Sequence, residues 1–156
     1  MPVQRLKDHL DERHIKYAAI RHAPAYTAQE IAAAAHVPGK EMAKTVVVKI
    51  DGELVLAVLP ASSRIDLELL KSTLNAESAE LADEKDFSNK FPGCEVGAMP
   101  PFGNLYGMRT FVADCLAEDE KIAFNAGSHT ELVRLRYRDF DKLVHPLMLE
   151  FTAGAH

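Results

Sequence analysis

The chain predicts a single α+β domain, a mixed and largely antiparallel sheet packed with helices, and three observations carry that expectation. Strand-like and helix-like segments are segregated rather than strictly alternating. β-Branched runs flank Asp51-Gly52, the pattern of a tight hairpin whose turn tolerates positive φ. No repeat, low-complexity block or linker divides the 156 residues. Residues 1–156 therefore read as one domain, able to bury roughly two thirds of the surface its unfolded form exposes.

Val3, Leu6 and Leu10 recur at three- and four-residue spacing, which gives a first helix one apolar face up to about His14. Tyr17 to His22 reads as a strand. Thr27-Ala-Gln-Glu30 matches a capping box, in which the threonine accepts from a backbone N–H while the glutamate reaches back, and an alanine-rich helix follows to about Ala35. Pro38-Gly39 ends it. Lys44 to Ile50 and Glu53 to Leu59 form the hairpin, closed by Pro60. Asp66 opens a helix through about Leu74, and another is expected from Asp83 to about Asn89. Strands are expected at Thr110 to Ala113, Lys121 to Asn125 and Glu131 to Tyr137, then a short helix from Arg138 to Val144 and a tail that frays from about residue 150.

Composition narrows the function. Hydrophobic residues make up 47% and charged residues 26%, ordinary for a globular protein. Cys94 and Cys115 have neither CxxC spacing nor partner clusters, so no metal site, cofactor or disulfide framework is indicated, and reduced cytoplasmic thiols are expected. The N-terminus lacks an apolar signal core, and the longest apolar stretch, Leu54 to Leu59, is too short to span a bilayer. A net charge of −5 argues against a protein that coats nucleic acid, DNA included, yet leaves room for a local basic patch.

Three distant segments could carry chemistry. Lys44 shares the inward side of its strand with Val46, Val48 and Ile50, where its ammonium either holds a phosphate or an oxyanion, or snorkels to water from a buried stem. Gly97-Ala-Met-Pro-Pro-Phe-Gly103 is stiffened by Pro100 and Pro101, with Met99 pushed toward extended geometry. Its glycines, Gly97 and Gly103, permit close approach of a ligand to the backbone, so Met99, Pro100, Pro101, Phe102 and Gly103 line either a binding loop or a rigid surface turn. Gly127-Ser128-His129 offers N–H groups, a hydroxyl and an imidazole that could grip a carbonyl or polarise a water, although His129 taken alone reads as a surface or hydrogen-bonded structural histidine.

Arg134, Arg136 and Arg138 alternate with apolar residues, so a strand there would present three guanidiniums on one face, either to a phosphate backbone or simply to solvent. A nucleophilic role for Cys94 has no support in its flanks. The chain has no GxSxG elbow, HExxH, P-loop or GxGxxG after a strand.

In this order, Ala43-Lys-Thr-Val-Val-Val48, Phe91-Pro-Gly-Cys94 with Gly97 to Gly103, and Phe124-Asn-Ala-Gly-Ser-His-Thr-Glu131 resemble the YbaK/EbsC family, free-standing relatives of the editing domain of bacterial prolyl-tRNA synthetase. The resemblance covers most of the chain. It implies metal-independent hydrolysis of the ester joining a wrong amino acid to the terminal adenosine of tRNA, with Lys44, Gly97, Gly127 and His129 as the functional residues. It also implies a tRNA acceptor end as partner, with tRNA(Pro) bearing a small wrong amino acid such as alanine or cysteine as substrate and prolyl-tRNA synthetase as an associate. Such an ester is already activated, so fixing its carbonyl and positioning a water suffices. The rival readings are a non-catalytic module that binds aminoacylated ends or a synthetase, and a hydrolase of small acyl esters unrelated to RNA.

Overall fold

The computed structural model describes residues 3–153. In chain order it contains α1 (Gln4–Glu12), β1 (Ala18–Arg21), α2 (Ala28–Ala34), β2 (Met42–Ile50), β3 (Glu53–Pro60), β4 (Arg64–Ile65), α3 (Leu67–Leu74), β5 (Ala79–Leu81) and α4 (Glu84–Phe87). There follow β6 (Arg109–Ala113), β7 (Lys121–Asn125), β8 (Glu131–Arg136), α5 (Tyr137–Val144), β9 (Leu147–Leu149) and β10 (Thr152–Ala153).

Local chemistry sets the boundaries of several elements. Thr27 Oγ1 accepts from Glu30 N–H at 3.1 Å, and Glu30 Oε1 accepts from Thr27 N–H at 3.2 Å, which completes the box that opens α2. Asp66 Oδ1 accepts from Leu69 N–H and opens α3. Asp51 and Gly52 both take positive φ, 51° and 84°, and join β2 to β3 in an antiparallel register that pairs Val48 with Val55.

The main sheet runs β1-β8-β7-β2-β3-β6-β9, with β5 also paired to β2; β4 and β10 form a separate two-stranded ribbon. The β2–β7, β3–β6 and β6–β9 pairs are parallel and the others antiparallel. One face of the sheet packs Met42, Ala123 and Leu132 against Ile31 of α2, and Val48 and Leu59 against Leu70 and Phe111. On the other face Ala43, Phe124 and Val133 meet Leu6 and Leu10 of α1 and Phe140 of α5, while Val47 and Leu56 meet Phe91 and Met99.

Several boundaries differ from those expected. The helix opened at Asp83 stops at Phe87 rather than Asn89. The strand expected to reach Tyr137 ends at Arg136, because the Tyr137 ring turns into the core 5.7 Å from that of Phe140 and begins α5. β4, β5, β9 and β10 have no local pattern, being two or three residues long and held only by distant partners. The tail is ordered through residue 153, with Phe151 fully buried; the last part of the expected frayed segment, 154–156, lies outside the described residues.

Gly103 illustrates packing that only the fold imposes. A Cβ there would collide with Thr110 Oγ1 and the Met108 carbonyl oxygen, and the glycine N–H donates to Thr110 Oγ1 at 3.1 Å. Gly103→Ala is expected to cost about 1–3 kcal/mol of stability as an overpacked site, read as a lower urea midpoint at unchanged slope.

Candidate active site

β2 and β7 run parallel only through Met42↔Ala123 and Ala43↔Phe124. The next residues along the two strands are Lys44 and Asn125, and there β7 leaves the sheet for the turn at 126–130. Strand alternation puts Lys44 on the face of Met42 and Val48, as the sequence predicts. Lys44 opens into a cavity of about 370 Å³ whose walls also include Thr27, Gln29, Ser62, Ser63 and Arg64. The lining holds two cations and no carboxylate, which suits an anion. Burial alone pushes the Lys44 pKa below the ordinary lysine value.

His129 is not part of that cavity wall, and its surroundings come from the Cys94–Met99 loop and the ring of Tyr26. Its Nδ1 lies 2.9 Å from Glu95 Oε2, and its N–H donates to Glu95 Oε1 at 3.4 Å. A carboxylate beside Nδ1 keeps the proton on that nitrogen, so the neutral ring presents an unprotonated Nε2. The same hydrogen bond holds the Glu95 pKa below the usual glutamate value. Gly97 takes φ 87°, and a Cβ on it would sit 3.4 Å from His129 Nε2. Among the described residues, the Gly97 N–H is held only by Met99 Sδ, at 3.2 Å. A thioether is a weak acceptor, so this donor is easily surrendered to a stronger one.

The loop and the turn lock together through the backbone. Glu95 N–H donates to the Gly127 carbonyl at 2.7 Å, and Gly127 N–H donates to Ala98 O at 2.9 Å. The Gly127 N–H is thus already engaged, which corrects the expectation that it grips a substrate carbonyl. Its glycine character serves conformation, with φ 104° and a would-be Cβ 2.9 Å from Val3 Cβ. Ser128 Oγ lies 3.3 Å from Thr130 Oγ1 and stiffens the turn.

The structure brings Gly97 to His129, and it leaves other expected residues elsewhere. Met99, Pro100, Pro101, Phe102 and Gly103 are all buried. The Phe102 ring packs in the core, 5.5 Å from that of Phe124 and 5.7 Å from that of Phe140, so this end of the loop is an anchor rather than a contact surface. Arg134 is half-buried and paired with Glu41 at 2.6 Å, Arg136 is exposed at the far end of β8, and Arg138 lies on α5 instead of the strand. The expected row of three guanidiniums on one strand face is therefore not formed, because β8 ends before Arg138. Cys94 contacts the Tyr106 hydroxyl at 3.5 Å, and burial raises its thiol pKa, the opposite of what a nucleophile needs.

Sequence reasoning did not single out Glu95, Arg64, Tyr26 or Asn125. Tyr26 packs its ring 5.0 Å from that of His129, and Thr27, the next residue, lines the Lys44 cavity, so these two residues join the two halves of the site. Asn125 is buried with its Oδ1 unpartnered among the described residues, beside Lys44 at the strand divergence. None of the four carries a local motif. The available signal was position, since Asn125 lies within the segment Phe124 to Glu131 and Glu95 lies between Cys94 and Gly97.

Comparison with known proteins places the chain. Residues 22–143 match the aminoacyl-tRNA editing domain family. The chain is 34% identical over 119 residues to the multifunctional Ser/Thr-tRNA deacylase ProXp-y of Escherichia coli strain K12, covering 72% of this chain and 70% of that protein. The fold matches a solved structure proposed as a trans-editing enzyme for prolyl-tRNA synthetase (TM-score 0.80, 19% identity, 97% of each chain). It also matches that of a hypothetical protein (TM-score 0.84, 19% identity, 96% of this chain and 100% of that one). No helix among the described residues is long and apolar enough to cross a membrane. With its profile match spanning most of the chain and a relative this similar, the chain belongs to the aminoacyl-tRNA editing domain family and is an aminoacyl-tRNA hydrolase.

Proposed function

We propose that the chain removes wrongly attached small amino acids from tRNA, with serine and threonine the first candidates. The geometry that carries the hydrolytic part of this reading is Gly97, its N–H held by a thioether, set against the Nε2 side of a His129 ring whose Nδ1 lies on Glu95. An ester carbonyl takes the Gly97 N–H in place of the thioether, which stabilises the oxyanion as it forms. Water attacks the carbonyl carbon while Nε2 accepts its proton; the tetrahedral centre collapses, the C–O bond to ribose breaks, and the ribose oxygen takes the proton back. Free amino acid and uncharged tRNA result. Lys44 and Arg64 hold the phosphate-bearing end in a cavity they share with the hydroxyls of Thr27, Ser62 and Ser63. The name of the ProXp-y relative supports serine and threonine as the amino acids removed.

The test is deacylation of a panel of charged tRNAs by pure protein: Ser- and Thr-tRNA, then Ala- and Cys-tRNA(Pro), the substrates implied by the family resemblance. Faster loss of Ser or Thr supports the reading; preference for Ala or Cys on tRNA(Pro) moves it to the prolyl system, with prolyl-tRNA synthetase as a partner to be tested by co-purification. No ester loss above buffer with any member defeats it. The cytoplasm, where tRNA is charged, is the matching location.

The tRNA body needs its own contacts. Lys16, Lys121, Arg134 and Arg136 line one surface depression, and Arg136 shares a neighbouring one with Arg138. With Arg134 committed to Glu41, we assign backbone contact to Lys16, Lys121, Arg136 and Arg138. Replacing Lys16, Lys121 and Arg136 with alanine is expected to weaken tRNA binding and reduce its salt slope by about one for each phosphate no longer neutralised. Titrations at several salt concentrations check it.

A further inference from the structure

Tyr26 is the most exposed of the large hydrophobic side chains described, at 73%. It does not belong to a floppy end. His22 N–H donates to the Thr130 carbonyl at 2.9 Å and pins the start of its loop, while the Thr27–Glu30 capping box pins the finish. The ring leans on the His129 imidazole at 5.0 Å and 50°, leaving most of its surface open to solvent. An aromatic ring fixed in place, largely uncovered and set between the imidazole and the Lys44 cavity is a surface for another planar group.

The proposed reaction supplies such a group. The ester carbonyl at Gly97 and His129 is bonded through one ribose to the terminal adenine, so the base must come to rest within a sugar's length of the imidazole. A small amino acid is selected by enclosing walls, which an open ring does not provide, whereas unpaired bases of RNA ends are commonly held by stacking on aromatic side chains. We propose that Tyr26 is the stacking platform for the terminal adenine of the aminoacylated acceptor end, a binding residue separate from the machinery that cleaves the ester. This inference rests on the aminoacyl-tRNA reading above.

Two measurements test it. In single-turnover deacylation of the best substrate from the panel, Tyr26→Ala is expected to raise the enzyme concentration for half-maximal rate roughly tenfold or more, with the plateau rate little changed, and Tyr26→Phe to behave as wild type. Unchanged half-saturation, or a fall confined to the plateau, overturns the proposal, the latter assigning Tyr26 to support of His129. The second measurement does not need turnover. The chain contains no tryptophan, so Tyr26→Trp introduces a single tryptophan at the platform, excited selectively at wavelengths where tyrosine does not absorb. Saturable quenching is expected with a 3′-seryl-amido-3′-deoxyadenosine 5′-phosphate probe and none with the same aminoacyl sugar phosphate lacking its base. Equal response to both, or to neither, refutes stacking. Should wild type cleave no charged tRNA, the functional reading fails and the quenching comparison alone still decides whether the ring holds a base.

Discussion

His129→Ala is expected to slow single-turnover deacylation on the order of a hundredfold while leaving the enzyme concentration for half-maximal rate nearly unchanged. The ring is held from one side by Glu95, which occupies Nδ1, and its Nε2 stands beside the Gly97 backbone. In the proposed mechanism, removing it deletes the group that takes the proton of the attacking water but leaves the cavity around Lys44 intact. Glu95→Ala should reproduce part of the loss with the ring still present, because Nδ1 is then free to lose its proton to Nε2 and the base would point at the substrate in the wrong tautomer. The depressed pKa of Glu95 keeps its carboxylate ionised throughout the neutral range, so this support disappears only in acid. A folded His129→Ala variant that cleaves at the wild-type rate would return the histidine to a structural role.

Lys44→Met is expected to impair capture and to stabilise the protein at the same time. A charge-assisted contact contributes about 1.5–3 kcal/mol, so half-saturation should shift roughly tenfold or more while the plateau rate holds. Stability should move the other way. Burial lowers the Lys44 pKa below its ordinary 10.5, so the folded state releases this proton more readily than the unfolded state. At neutral pH the charged lysine therefore costs stability, a cost relieved as pH rises through the lowered folded pKa toward 10.5. Methionine fills the same stem volume without the charge. Thermal melts at pH 7 and pH 10 check the sign: the variant should melt higher than wild type at pH 7, and the gap should narrow at pH 10. A variant that melts lower at pH 7 and binds normally would mean that Lys44 merely snorkels.

Wherever local chemistry is strong, the order of residues was sufficient. The Thr27–Glu30 box, the Asp66 cap and the Asp51-Gly52 turn each satisfy their own backbone groups within four residues, and each stands where the chain alone places it. The inward side of Lys44 follows from strand alternation in the same way. Those features, with the family resemblance, are what single out Lys44, Gly97 and His129 as candidates.

Tertiary structure decided what depends on partners far along the chain. β9 and β10 are held by β6 and β4, so their three- and two-residue sequences carry no signal of their own, and a tail read as frayed is paired and buries Phe151. The expected row of three guanidiniums did not form because Arg138 lies in the first turn of α5, past the end of β8. Phe102 went to the core, Gly127 gave its N–H to Ala98, and Glu95, between Cys94 and Gly97, came to hold His129 across a separation of 34 residues. Side-chain type states what a residue can do, but which of its hydrogen-bonding groups remains free for a substrate is settled only when the whole chain has taken its partners.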